Sequence, residues 1–182
     1  MTFLTILTRT HPGREQYLAA NQRSLADQTD DGYEQIVLDD TKGRGLHWAN
    51  CQFAQLAPTL PLSDYVLMMD DDNVLIDPDA VRRWRQAARS MPDIIIHQAI
   101  VGPHGVLPTA DFWLRGKYEG AIDGHCALVQ SRLWLDCIDA FCKPVAGDAS
   151  FFRAVFAERP TVVSIIKPMV RALRVGSLDW EG

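Results

Sequence analysis

An unbroken apolar run, Tyr65-Val-Leu-Met-Met69, passes directly into Asp70-Asp71-Asp72-Asn73. Consecutive apolar residues without polar alternation suit a strand covered on both faces, as in sheets flanked by helices. Three adjacent carboxylates at the end of such a strand repel one another. A hard cation relieves that repulsion, because Mg²⁺ or Mn²⁺ takes carboxylate and substrate phosphate oxygens together. For any single one of these Asp, a solvated turn is the alternative.

The surrounding sequence alternates between strand and helix signals. Residues 2–8 are β-branched and aliphatic and end at Arg9-Thr-His-Pro-Gly13, which reads as a strand and then a loop. Tyr17, Leu18, Asn21 and Leu25 recur at helical spacing. Residues 35–38 form a short strand running into Asp39-Asp40, and residues 41–45 form a loop. Leu46, Ala49, Phe53 and Leu56 share one helix face up to Pro58. Asp77 is expected to cap a helix with Pro78 at its first position, continuing to about Ser90. Residues 93–97 read as a strand, and residues 98–130 carry no clear signal. Helices are expected over 131–141 and 148–157, then a strand over 161–166 that Pro168 ends or places at an edge. The alternation up to residue 97 predicts an α/β fold with a mainly parallel sheet flanked by helices. Ligands of such sheets bind beyond the carboxyl ends of the strands. Three of the first four strands end there in polar clusters: Thr8-Arg9-Thr10-His11, Asp39-Asp40 and Asp70 to Asn73.

A length of 182 residues fits one domain that can bury about 70% of its unfolded surface. The net charge of -5 argues against nucleic acid or an anionic membrane as partner. Cys51, Cys126, Cys137 and Cys142 show neither a CxxC pair nor zinc spacing, and read as reduced thiols of a cytoplasmic protein. The first residues lack the basic start of a secretory signal, and no stretch approaches the ~20 apolar residues of a membrane span.

Four stretches together resemble family 2 glycosyltransferases of the GT-A fold, with a likeness to the spore-coat polysaccharide enzymes. They are Phe3 to Arg14 with the helix ending in Ser24-Leu-Ala-Asp-Gln-Thr29, Glu34 to Asp40, Tyr65 to Asn73 with a DxD motif at Asp70 and Asp72, and Ala146-Gly-Asp-Ala-Ser-Phe-Phe152. Gly120 to Cys126 looks like the family's acceptor-side strand. The resemblance implies one Rossmann-like GT-A domain over residues 1–182, with a nucleotide-binding part over about 1–97 and an acceptor part over about 98–182. It implies an inverting, metal-dependent transfer of a sugar from a nucleotide-diphosphate sugar, in first place a UDP-sugar, to a saccharide or other hydroxyl acceptor.

The same resemblance distributes the roles. Thr8 and Thr10 fall where the family's first loop cradles the base, and Asp40, supported by Asp39, falls where a carboxylate accepts from the uracil N–H. Asp71 falls near the ribose and sugar. Asp72, supported by Asp70, falls on the ligand of Mn²⁺ or Mg²⁺. Asp148 falls on the general base, although Asp-Ala-Ser-Phe is also good helix-capping sequence. Arg9, Arg14, Lys42 and Arg44 are candidates for diphosphate contact. One metal and one base suffice for a single displacement with inversion. Fewer residues separate Asp40 from Asp70 than in many family members, and the late His that some of them use as a metal ligand is missing.

Two other readings of the residues stay open. One is a nucleotide-sugar binding module without turnover. The other is an aspartate-based phosphotransferase, against which Thr8-Arg9-Thr10 stands at the end of the first strand. Trp113 and His125 are candidates for the sugar and acceptor pocket, with a core role as the alternative for Trp113. His97 is expected to be a satisfied strand-end histidine, and Trp48, Trp84 and Trp134 are expected in the core.

Overall fold

The computed structural model describes residues 2–102, 105–116, 121–143 and 147–173. The chain begins with β1 (Leu4–Thr10), α1 (Glu15–Ala26), β2 (Tyr33–Asp39), α2 (Leu46–Leu56) and β3 (Tyr65–Met68). It continues with β4 (Asn73–Leu75), α3 (Ala80–Ala87), β5 (Ile94–Val101), β6 (Val106–Leu107) and α4 (Ala110–Arg115). The last elements are β7 (Ala127–Gln130), α5 (Ser131–Cys137), α6 (Gly147–Ala157) and β8 (Val162–Ala172). The segment that carried no sequence signal thus holds β6, α4 and β7.

One sheet runs in the order β2-β1-β3-β7-β5-β8-β4, with β6 on β5. β1 is parallel to β2 and to β3, while β7 is antiparallel to both β3 and β5. β5 therefore points the same way as β3, and β8 is parallel to β5. The expected mainly parallel sheet is present, with β7 inserted antiparallel between β3 and β5 and with β4 and β6 antiparallel to β8 and β5. β1 and β3 are buried along their whole length, as their apolar runs require. Trp84, Trp134, Phe53, Phe141, Phe151 and Phe152 fill the helix layers against them.

Three local expectations need correction. Asp77 does not cap α3, whose cap is Asp79. Instead Asp77 accepts from Asp79 N at 3.1 Å and from Lys167 Nζ at 2.6 Å, so it ties the turn to β8. Pro168 does not end the last strand: β8 runs through it, with register shifts against β5 at Gln98, where the missing proline N–H is accommodated. Trp48 is not core. It is half-buried beneath the Arg44 guanidinium, which lies 3.6 Å from the ring centroid. No helix among the described residues is long and apolar enough to cross a membrane.

His97 is fully buried in β5, packed on Trp84 with ring centroids 5.0 Å apart, and its Nδ1 lies 3.1 Å from the Gln98 carbonyl. Burial pushes its pKa down to about 3, helped by the nearby His125. Unfolded, it would titrate near 6.5. The neutral ring therefore supports the fold fully above pH ~6.5, and that support is lost as the pH falls toward 3. In urea melts, His97→Leu should reduce the slope of stability between pH 6 and pH 4 by about 1.4 kcal/mol per pH unit. An unchanged slope would mean that the buried ring does not resist protonation.

Candidate functional site

The carboxyl ends of β2, β1 and β3 lie side by side because these three strands are adjacent and parallel. Backbone bonds continue the pairing past the strand ends, from Asp40 N to Thr10 O at 2.9 Å and from Asp71 N to Arg9 O at 3.3 Å. The three polar clusters are thus brought together as expected.

The acidic cluster is neutralised from within. Arg14 sends its guanidinium bidentately to Asp71, with Nε at 2.9 Å from both oxygens and Nη2 at 2.6 Å from Oδ1. The same Nη2 donates to Asp72 Oδ2 at 2.7 Å, and Thr10 Oγ1 donates to Asp71 Oδ2 at 2.7 Å. Arg9 Nε donates to Asp70 Oδ1 at 2.6 Å, and its Nη1 donates to Asn50 Oδ1. Both arginines are buried, so their guanidinium groups hold carboxylates rather than stand free toward a diphosphate. Asn21, on the apolar face of α1, donates to the carbonyls of Asp70 at 3.1 Å and Asn73 at 2.8 Å. That contact pins both ends of the acidic turn.

Asp71 is interior, which does not match its expected place near ribose. The Thr8 side chain is also buried, its hydroxyl accepting from Gln35 Nε2 at 2.8 Å, and so it does not join the base cradle. Asp39 is exposed at the end of β2, whereas Asp40 is fully buried. Gly45, at φ 95°, turns its N–H to Asp40 Oδ2 at 2.8 Å, a conformation that glycine adopts without a steric penalty. Asp40 Oδ1 has no hydrogen-bond partner among the described residues and lies 3.6 Å from Arg44 Nε. Lys42 and Arg44 are exposed beside it.

A second acidic group comes from the far half of the chain. Asp148 is the second residue of α6, inside the helix rather than at its cap. It is hydrogen-bonded to Asp123, on the segment before β7, and feels the charges of Arg9 and Asp70. His125 Nδ1 lies 3.1 Å from Asp123 Oδ1, and the His125 ring is buried. Burial opposes charge on Asp123, but His125, the Asp148 hydrogen bond and Arg9 together hold its carboxyl below the usual range. Burial and the Asp123 charge push Asp148 well above that range. The pair therefore keeps one proton, on Asp148. Gly147 lets α6 approach closely, since a Cβ there would sit 3.0 Å from Phe141 O and 3.1 Å from Asn50 Nδ2.

Asp70 joins the two groups, because its charge acts on both Asp72 and Asp148. Burial, and then Asp70, push the Asp72 carboxyl upward despite Arg14. The Asp70–Asp72 edge thus carries more negative charge than the arginines remove, which suits a cation. No three His, Cys, Asp or Glu among the described residues form a metal cage. A divalent ion would draw Asp72 and Asp70 from the chain and complete its shell with phosphate or water oxygens.

Sequence reasoning missed Asn21 and Asn50 as organisers of the site. A polar residue at a core-facing helical position was the available signal for Asn21. Trp113 is exposed on α4, and Glu119, another carboxylate of the acceptor part, lies outside the described residues.

No family model matches the sequence, and no curated protein matches it. Solved structures do match. The chain superimposes on Staphylococcus aureus TarS 1–349, a GT-A-type glycosyltransferase, with a TM-score of 0.74 and 13% identity, over 94% of this chain and 60% of that one. TarS 1–349 in complex with UDP-GlcNAc gives a TM-score of 0.75 at 13% identity, over 100% and 61%. The complex with UDP gives 0.72 at 12%, over 94% and 60%. The chain spans about three-fifths of the length of these structures.

The ion pairs make a stability prediction. Arg14→Gln removes the guanidinium that pairs bidentately with Asp71, a carboxylate only 2% exposed, and leaves its charge buried. Breaking a buried pair on one side costs about 3–5 kcal/mol. Urea denaturation should show a loss of that order at neutral pH. A loss below about 1 kcal/mol, the surface-pair range, would show that the pair is solvated. The chain has the GT-A fold, with its carboxylates gathered at the carboxyl edge of the sheet.

Proposed function

We propose that the chain moves a sugar from a nucleotide-diphosphate sugar, a UDP-sugar in first place, to an acceptor hydroxyl with inversion at the anomeric carbon. The observation that carries this reading is the meeting of two acidic groups from opposite halves of the chain at Asp70. A donor side and an acceptor side of one reaction need that arrangement. The fold it shares with TarS, whose structures include complexes with UDP and UDP-GlcNAc, supports the same donor class.

In this reading Asp40 Oδ1, buried and without a hydrogen bond among the described residues, accepts from the base N–H. Asp39 stands beside it at the strand end. Thr10 and Arg9 act from behind, by fixing Asp71 and Asp70. Arg44 and Lys42 face the diphosphate. Asp72 and Asp70 would hold Mn²⁺ or Mg²⁺, which would supply charge neutralisation for the leaving diphosphate. Asp148, once ionised, takes the proton of the attacking acceptor hydroxyl. Asp123, held ionised by His125, receives the hydrogen bond that orients Asp148. A cytoplasmic setting, in which thiols stay reduced, suits the four free cysteines.

Calorimetry and a donor-hydrolysis assay test the reading together. Asp40→Ala should weaken UDP binding while leaving the fold intact, and equal affinity for mutant and parent removes Asp40 from the site. Asp72→Asn should abolish the strengthening of UDP binding by Mn²⁺, and an unchanged dependence rejects the metal assignment. Asp148→Asn should lower turnover by roughly 10²–10⁴-fold with nucleotide affinity preserved. Because the Asp148 pKa is raised, the base is withheld at low pH, and turnover should climb as the pH rises through that raised value. UDP binding without hydrolysis or transfer at any pH would favour a binding module instead.

A further inference from the structure

Arg44 takes a position that a diphosphate contact alone does not explain. The loop of residues 41–45 folds back on Asp40: Gly43 N donates to Asp40 O at 2.9 Å, and Gly45 N donates to Asp40 Oδ2 at 2.8 Å. Held between these two bonds, the Arg44 side chain passes the carboxylate and lies flat on α2. Its Nε is 3.6 Å from Asp40 Oδ1, too long for a hydrogen bond, and its Cζ is 3.6 Å from the centroid of the half-buried Trp48 ring. Asp40 is fully buried, and Oδ1 has no hydrogen bond among the described residues. Arg44 itself is 47% exposed, and a Cβ built on Gly43 meets nothing within 4 Å, so the loop borders open space. A planar group thus rests on an aromatic face with an N–H turned toward a carboxylate oxygen that still lacks a hydrogen bond.

We propose that the Arg44 guanidinium is an internal stand-in for the nucleotide base: without nucleotide it occupies the slot between Trp48 and Asp40 that a uracil ring takes, and a bound nucleotide displaces it toward the diphosphate. The inference rests on the reading of Asp40 as the acceptor for a base N–H. A guanidinium and a uracil ring are both planar, both carry an N–H in that plane, and both stack on an aromatic face. The guanidinium fills the slot imperfectly, because at 3.6 Å it leaves Oδ1 without a hydrogen bond. The ring N–H of uracil supplies that bond, and a buried acceptor gains most from being satisfied. Once off the ring, the arginine donates to diphosphate oxygens, which are stronger acceptors than the aromatic face. Base and phosphate recognition are coupled by this exchange. A nucleoside without phosphates has to expel the guanidinium and offers it no new partner, whereas UDP offers one. Arg44 and Trp48 therefore select for the phosphorylated nucleotide as well as for the base.

The test titrates the whole chain with uridine and with UDP, followed by calorimetry and by ligand-observed NMR. Arg44→Ala should bind uridine about two- to fivefold more tightly than the parent, the equivalent of the vacated contact with the ring. The same variant should bind UDP about tenfold more weakly, because the displaced guanidinium no longer meets the diphosphate. Trp48→Leu should weaken both ligands by about tenfold, and adding Asp40→Ala to Arg44→Ala should cancel the gain in uridine binding. Circular dichroism establishes that the variants are folded. If Arg44→Ala weakens uridine and UDP alike, or leaves uridine binding unchanged, Arg44 does not stand in the slot and the proposal is overturned while the reading of Asp40 survives. Unchanged affinities in Trp48→Leu overturn it too. A parent chain that does not bind UDP, or equal UDP affinity in Asp40→Ala, overturns the reading of the site itself and this inference with it.

Discussion

Holding three consecutive carboxylates at the end of a core strand, Asp71 buried and Asp70 and Asp72 partly so, is possible here because two buried arginines from the neighbouring strand and its loop pair with them. Arg9 and Arg14 lie after the apolar stretch of β1, which is parallel and adjacent to β3, so their guanidinium groups arrive beside Asp70, Asp71 and Asp72. A charge in a low-dielectric interior is tolerable only when it is paired and hydrogen-bonded. Thr10 and Asn21 complete the bonding. Any account of the site has to begin with this pairing, because it decides which carboxylates are spent on structure. Asp71 is wholly committed, while Asp70 and Asp72 keep an edge that faces the rest of the site.

The second organising contact is the carboxyl pair Asp123 and Asp148. Two carboxyls in hydrogen-bond contact cannot both ionise easily, and the groups around them decide which one holds the proton. His125 stands on the side of Asp123, while Arg9 favours charge on both, so the proton rests on the more strongly opposed Asp148. Arg9 thus serves both halves of the molecule: it pairs with Asp70 directly and reaches the Asp123–Asp148 pair through its charge. The antiparallel strand β7 makes this possible. Inserted between β3 and β5, it carries the segment with Asp123 and His125 up against Met68, where Gly124 leaves room for the approach.

α2 and the turn before α6 meet along one seam. Asn50 reaches Arg9 on one side and Phe141 O on the other, so a single amide links the acidic cluster to the segment that introduces Asp148. The acidic cluster and the Asp123–Asp148 pair are therefore coupled through packed, hydrogen-bonded contacts as well as through charge.

The gathering of Thr10, Asp40 and Asp70 to Asp72 at one edge was legible from sequence alone, because apolar runs that end in polar residues place those residues at strand ends, and parallel neighbours share one edge. The α/β class and the full burial of β3 came from the same local signals. The direction in which Arg9 and Arg14 point was not legible. A basic residue near a presumed phosphate site reads as a ligand contact, and only the register of β1 on β3 shows that carboxylates lie closer. Trp48 and Pro168 also escaped, one drawn out by a cation above its ring, the other accommodated by a register shift. Above all, the meeting of Asp123 with Asp148 joins residues distant in the chain. Local sequence records hydrophobic periodicity and turn chemistry, which fix elements and their ends. Which distant charges become neighbours depends on strand order and helix packing, and that was decided only when the sheet assembled.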